Sequence, residues 1–292
     1  MKRSWLLGTL ILGPVVLFTE GAVPGPAFQF TSVDFPEAVH TELNGIGPGG
    51  EIAGLYFDRG GKQHGFLLNH GDFTSIDYPG AIATRAGGIS PSGDIVGSYT
   101  NAPGGPANIH GFLLSRGTFS EVQYPGYLGT IARRITPNGD IYGCTHNMDF
   151  GVQMHGFVRN AVGEYTQIDV PSSMNNGATP DGSTIVGLHT DMATGLTHGY
   201  LIQNGNLEPF DVPGSNFTQA WDINPSEEIV GVFRDRTGEF HGFLLTGGEF
   251  QTIDFPGAIN TQALGINPAG DIVGFYIDSS GKTHGFLRMR AQ

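Results

Sequence analysis

The feature that most constrains this chain is a tripeptide, His-Gly followed by Phe or Tyr, which occurs at His64, His110, His155, His198, His241 and His284. Spacings of 46, 45, 43, 43 and 43 residues are those of one supersecondary unit copied six times. Two further markers keep the same phase. A segment ending in Pro recurs at Pro36, Pro79, Pro125, Pro171, Pro213 and Pro256, and a stretch of the form Gly-Ile-Asn-Pro-x-Gly-Asp-Ile-Val-Gly is clearest over residues 265–274. The copies fill residues 30–292, so 23–292 is expected to be one domain.

Each copy predicts four short strands. In the second copy these are 84–90, 94–99, 109–114 and 119–124, the first two joined by Pro91-Ser92-Gly93, a tight turn in which Gly can take positive φ. With 47 Gly and 18 Pro, and no stretch of helical periodicity, the chain is expected to be all-β. A four-stranded antiparallel unit of this size cannot bury both faces alone and must stack on its neighbours. The repeat therefore predicts a six-bladed β-propeller with four antiparallel strands per blade. Its phase is offset: the chain enters on a fourth-type strand, 30–35, and leaves on a third-type strand, 283–288. The N-terminal strand is expected to complete the last blade and hide an otherwise open sheet edge.

Lys2 and Arg3, an apolar run over 5–18, and small or polar residues at Thr19, Gly21 and Ala22 read as a signal peptide spanning 1–22. A secreted protein, extracellular or periplasmic, with no membrane segment after cleavage is the expectation. The single Cys144 cannot form an intramolecular disulfide, so packing must supply the stability. Against 14 basic residues stand 27 acidic ones, a net charge of −13. That charge repels phosphate backbones and argues against a nucleic-acid partner.

The three linked motifs resemble the HAF repeat of predicted extracellular bacterial proteins, in which the signature reads His-Ala-Phe. Here Gly65, Gly111, Gly156, Gly199, Gly242 and Gly285 stand where that family usually has Ala. The resemblance covers essentially the whole chain after the signal. It implies a secreted repeat protein, and it carries over no catalytic residue.

Six regularly placed histidines invite a metal or catalytic reading, but register favours a structural one. With Leu68 opposite Phe73, His64 falls opposite Asp77, and the same thirteen-residue offset matches His198 to Asp211 and His241 to Asp254. Cross-strand neighbours lie about 5 Å apart, close enough for imidazole to meet carboxylate. Gln123 replaces the acid opposite His110, His155 and Asp169 are one residue further apart, and His284 would meet Asp34 of the N-terminal strand. The acidic residues Asp58, Asp191, Asp235 and Asp278 are expected to start turns rather than hold calcium, because no dense oxygen-ligand loop surrounds them. Cys144, His146 and Asp149 lack the spacing of a usual metal site, and neither metal nor cofactor is expected.

If repeated positions build the scaffold, function belongs where copies differ. After the small hydroxyl residue of each first strand, the next position reads Glu42, Arg85, Ile131, Met174, Gln219 and Gln262. Two further on stand Asn44, Gly87, Arg133, Asn176, Trp221 and Leu264. In a propeller this strand borders the central channel, so Arg85, Arg133, Arg134 and Trp221, with Glu42, Asn176, Gln219 and Gln262, are the candidate ligand-binding residues. Guanidinium beside indole suits a carbohydrate or small anionic ligand, although Trp221 packing between blades with the arginines balancing acids is the plainer possibility. No protease, nucleophile-elbow, phosphate-loop or dinucleotide motif is present. The sequence thus points to an extracellular ligand- or glycan-binding protein, ahead of a polysaccharide lyase or hydrolase at the channel and of a structural or adhesive surface module.

Overall fold

The computed structural model describes residues 28–147, 154–168, 170 and 172–290. Among them are twenty-four strands, one 3-10 turn and no α-helix; no helix is long and apolar enough to cross a membrane. The signal-peptide segment and Asp149, Asp169 and Pro171 lie outside the described residues.

After β1 (Phe28–Val33) comes a four-stranded antiparallel sheet of β2 (His40–Ile46), β3 (Ile52–Phe57), β4 (Gln63–Asn69) and β5 (Asp72–Ile76). The second sheet holds β6 (Ala83–Ile89), β7 (Ile95–Thr100), β8 (Ile109–Ser115) and β9 (Thr118–Val122). The third holds β10 (Gly129–Ile135), β11 (Ile141–His146), β12 (His155–Arg159) and β13 (Tyr165–Ile168). Next are β14 (Ser173–Ala178), β15 (Thr184–Thr190), β16 (Thr197–Gln203) and β17 (Asn206–Phe210), followed by β18 (Phe217–Ile223), β19 (Ile229–Arg234), β20 (Phe240–Thr246) and β21 (Glu249–Ile253). Last are β22 (Asn260–Ile266), β23 (Ile272–Ile277) and β24 (Thr283–Arg290), and β1 pairs with β24 as the outer strand of this sheet.

The sheets are thus four of four strands and one of eight, where the repeat predicts six separate sheets of four. The cause is local. A single parallel bridge, Thr197 to Phe217, connects β16 to β18 and fuses β14–β17 with β18–β21. The innermost strands β2, β6, β10, β14, β18 and β22 each touch the next, and β22 touches β2, so the sheets close into a ring.

Packing explains the repeated residues. The aromatic of each His-Gly-Phe/Tyr signature, Phe66, Phe112, Phe157, Tyr200, Phe243 and Phe286, is completely buried. On the neighbouring strand the last glycine of the Asp-Ile-Val-Gly element makes room for it. A Cβ on Gly54 would stand 2.6 Å from the Phe66 ring, and one on Gly231 would stand 2.6 Å from Phe243. In five of the six first strands the small hydroxyl has its own task. The Phe35, Tyr78, Tyr124, Val212 and Phe255 N–H groups donate to Oγ1 of Thr41, Thr84, Thr130, Thr218 and Thr261 at 3.0–3.1 Å, anchoring the turn that enters the inner strand.

The glycine after each histidine lies close to the outer strand of its own sheet or to the next inner strand. A Cβ on Gly65 would sit 3.0 Å from Ala86 N, and one on Gly111 would sit 2.7 Å from Val122 O. An alanine methyl at Gly111 or Gly285 would stand 2.7 or 2.6 Å from a backbone carbonyl of the outer strand, and something would have to shift.

Candidate functional site

The inner strands run side by side down the axis, and equivalent residues form layers. The first layer holds Glu42, Arg85, Ile131, Met174, Gln219 and Gln262, which occupy the same register against their second strands. Arg85 Nη2 donates to Asn44 Oδ1 at 2.7 Å and stands 4.0 Å from Glu42. His40 Nε2 lies 2.9 Å from Glu42 Oε1. Burial raises the Glu42 carboxyl, but the His40 bond and the Arg85 charge outweigh it and hold the group below its ordinary value. Burial also lowers Arg85 to about 10, against the pull of Glu42 and helped by the charges of Arg133 and Arg134.

Below lies the layer of Asn44, Arg133, Asn176, Trp221 and Leu264. Asn44 and Asn176 donate to the Ala86 and Ala220 carbonyls, tying neighbouring inner strands together. The Arg133 guanidinium lies 4.8 Å from the Trp221 ring centroid and its Nη2 is 3.3 Å from Met174 Sδ. The indole face is therefore covered by Arg133. Only about 10 Å³ is open beside Arg85, Arg133 and Trp221, scarcely room for one water. The axis brings the candidate residues together, but as partners of one another.

One position further down, four inner strands carry glycine and two carry opposite charges: Gly45, Gly88, Arg134, Gly177, Asp222 and Gly265. The glycines are required by close approach. A Cβ on Gly88 would lie 2.9 Å from Arg134 Cα, and one on Gly177 would lie 2.8 Å from Asp222 Cα. Arg134 Nε is 3.2 Å from Asp222 Oδ2 across the ring, and Arg134 also donates to the Arg133 and Leu264 carbonyls. Asp222 accepts from the Ile223 and Ile266 N–H groups at 3.1 Å. Burial raises the Asp222 carboxyl, opposed by Arg134 and by those N–H groups. The pair plugs the axis and bolts three inner strands together.

Beneath the plug the axis opens into a depression of about 90 Å³. Its wall is a ring of Ile46, Ile89, Ile135, Ala178, Ile223 and Ile266, its rim the turn prolines Pro48, Pro91, Pro137, Pro180, Pro225 and Pro268, and Arg134 and Asp222 form its floor. Ala178 breaks the ring, since the five equivalent positions hold isoleucine. Asp222 and Ala178 escape a search for unusual cations and aromatics. Their signal was present in the aligned columns, where one departs from glycine and the other from isoleucine.

The histidines lie at the outer part of the opposite face. Nδ1 of His64, His198, His241 and His284 stands 2.7–2.9 Å from a carboxylate oxygen of Asp77, Asp211, Asp254 and Asp34, respectively. Nε2 of His64, His241 and His284 faces a second carboxylate, Asp58, Asp235 or Asp278, at 3.3–3.6 Å. In the second sheet the closest partners are neutral, Asn101 at 2.9 Å and Gln123 at 3.2 Å from His110, and Glu121 Oε1 stands 3.7 Å from its Nδ1. The turn acids mostly accept backbone N–H groups; Asp58 is held below its ordinary value chiefly by the Lys62 N–H. Asp235, Glu239 and His241 bring one potential metal-ligand atom each within 4.8 Å of one another, but Asp235 Oδ1 already accepts from Thr237, Gly238 and Glu239. Cys144 Sγ lies 3.1 Å from His146 Nε2 in a fully buried site, where burial raises the thiol.

No family model and no curated protein matches the chain. Solved structures do. TolB from Acinetobacter baumannii aligns at a TM-score of 0.61 and 13% identity over 82% of this chain, which spans 63% of that protein. The β-propeller domain of the Trilobed protease from Pyrococcus furiosus aligns at 0.53 and 13% identity, covering 85% of this chain and 82% of that one. This chain is a β-propeller. A mutant Aleuria aurantia lectin in complex with Fucα1-6GlcNAc has the same arrangement, at a TM-score of 0.53 and 12% identity over 86% of this propeller and 93% of the lectin. At these identities the likeness concerns fold.

Proposed function

We propose that this protein is a secreted six-bladed propeller of the HAF repeat type that binds a compact ligand, carbohydrate or another small molecule, in the axial depression. We count the eight-stranded sheet as two blades, because one bridge is the only backbone pairing between β14–β17 and β18–β21, whose remaining contact is side-by-side packing like that between the other sheets. Secretion rests on the N-terminal sequence, and the lectin complexes with fucosides support a saccharide as the first ligand class to try.

The observation that carries the proposal is the isoleucine- and proline-lined depression floored by Arg134 and Asp222. An apolar concavity with a few fixed polar groups is the usual form of a small-molecule site. Binding is favoured over hydrolysis or elimination because Asp222 is the one carboxylate among the lining residues, and Arg134 holds it. An acid–base reaction needs a second such group in reach.

The test is a thermal-shift screen of saccharides and small organic acids on the mature protein and on Ala178→Ile. This substitution copies the residue of five other repeats and fills the gap in the wall. A ligand at a hundred times its Kd stabilises by about 2.7 kcal/mol, roughly 5 °C for a chain of this size. That shift should vanish in Ala178→Ile while the unliganded Tm is unchanged. Equal shifts in both proteins would remove the site from the depression, and no shift with any compound would favour a structural or adhesive module.

A further inference from the structure

A different kind of opening occurs twice on the opposite face. One cleft, of about 360 Å³, lies between the turn at residues 35–38 and the loop at 58–60, with Tyr56 behind it. The other, of about 330 Å³, lies between the turn at 213–215 and Asp235 and Arg236, with Phe233 behind it. They are the same place in two copies of the repeat. Tyr56 pairs with Thr41 and Phe233 with Thr218 in equivalent register, Pro36 matches Pro213, and Asp58-Arg59 matches Asp235-Arg236. Elsewhere the residue after the loop's polar position is Ala102, Met192 or Ser279, so these two copies alone among the described ones place a guanidinium there.

Each cleft combines three groups. The aspartate is rigid: Asp58 Oδ1 accepts the Lys62 N–H at 2.9 Å, and Asp235 Oδ1 accepts from its own turn at 2.8–2.9 Å. The oxygen left for a ligand is therefore Oδ2, which faces His64 or His241 at 3.4 or 3.6 Å and, in Asp235, also accepts from Thr237 Oγ1 at 3.0 Å. The arginine is loosely held. Arg59 is 75% exposed and 4.0 Å from an equally exposed Glu37, and Arg236 lies over the turn, its Nη2 3.6 Å from where a methyl on Gly214 would be. The third group is apolar, a proline and the edge of a buried aromatic ring.

A fixed acceptor facing several donors suits neighbouring hydroxyls, which donate to one group while accepting from the other, and the apolar wall suits the C–H face of a sugar ring. An anion would meet the carboxylates and the net charge of −13, and an apolar ligand would strip water from Asp and Arg at a cost. We infer that the two clefts are equivalent binding sites for a neutral saccharide, separate from the axial depression.

Isothermal titration with the best neutral saccharide from a glycan array, on wild type, Arg59→Ala, Arg236→Ala and the double variant, tests this assignment. Two equal sites per chain are expected in wild type, and in each single variant one site of wild-type affinity and one weakened. In the double variant affinity should weaken roughly tenfold or more, the loss of a charge-assisted bond. Both arginines are exposed, so the variants should keep the wild-type Tm. Ala178→Ile should leave this stoichiometry unaltered, which separates failure here from failure of the axial site. Binding indifferent to the double substitution, a stoichiometry of one lost in Ala178→Ile, a preference for anionic saccharides, or no neutral saccharide bound would each overturn the assignment.

Discussion

Replacing Arg134 by glycine, the residue of four equivalent inner strands, should be among the most damaging single changes in this propeller. The guanidinium is one-tenth exposed and 3.2 Å from an Asp222 that is equally buried. Without it the carboxylate keeps only the Ile223 and Ile266 N–H groups. Breaking a buried ion pair from one side costs about 3–5 kcal/mol, or a fall in Tm of roughly 6–10 °C at about 2 °C per kcal/mol. Asp222→Gly should cost a similar amount, and Arg134→Gly with Asp222→Gly much less than the two together, because no charge is then left unpaired. The axis would resemble that of a ring with glycine at all six positions. Urea denaturation followed by the fluorescence of Trp221, which packs against Arg133, measures all four corners of the cycle.

The same substitution has a pH signature. Burial already raises the Asp222 carboxyl, opposed by Arg134, so removing the guanidinium raises it further. A carboxyl whose folded value exceeds its unfolded one takes up protons on folding, and stability then grows as pH falls through the folded value towards the unfolded one. The deficit of Arg134→Gly should shrink as pH falls from neutrality towards the unfolded carboxylate range. A single-variant cost below about 1 kcal/mol, additive costs in the double variant, or a deficit that widens as pH falls would refute the reasoning.

Gly111→Ala should destabilise by about 1–3 kcal/mol, because its methyl would stand 2.7 Å from the Val122 carbonyl oxygen; urea denaturation would show it. Glu42, Asp58, Asp191, Asp235 and Asp278 are held below their ordinary values, as is Asp181, at about 2. Their combined contribution is present above the unfolded carboxylate values and should be lost as pH falls from about 4.5 towards 2, seen as a falling urea midpoint. Removal of the chain through Asp34 would strip β1, expose the edge of β24 and take Asp34 from His284, 2.7 Å away. Light scattering should then detect self-association, as expected of an open sheet edge.

Much of the strand pattern was legible because it is local. In the second copy the strands 84–90, 94–99, 109–114 and 119–124 read from the sequence correspond to Ala83–Ile89, Ile95–Thr100, Ile109–Ser115 and Thr118–Val122. Hairpins connect neighbours in the chain, so turn residues and two-residue alternation set each register within about forty residues. The thirteen-residue offset that brings His64 to Asp77 is of the same kind. The fusion of two units into one sheet was not legible, because it depends on a single bridge between Thr197 and Phe217.

The axis obeyed a different logic. Sequence alone singled out Arg85, Arg133, Arg134 and Trp221 as departures from the repeat, and columns of aligned residues were enough for that. Tertiary structure decided that Arg133 covers Trp221, that Arg134 finds Asp222 across the ring, and that the opening lies beneath this pair at Ala178. These residues come from separate strands that meet only when the ring closes. Local periodicity determines each sheet, whereas ring closure determines which side chains neutralise one another and where space remains.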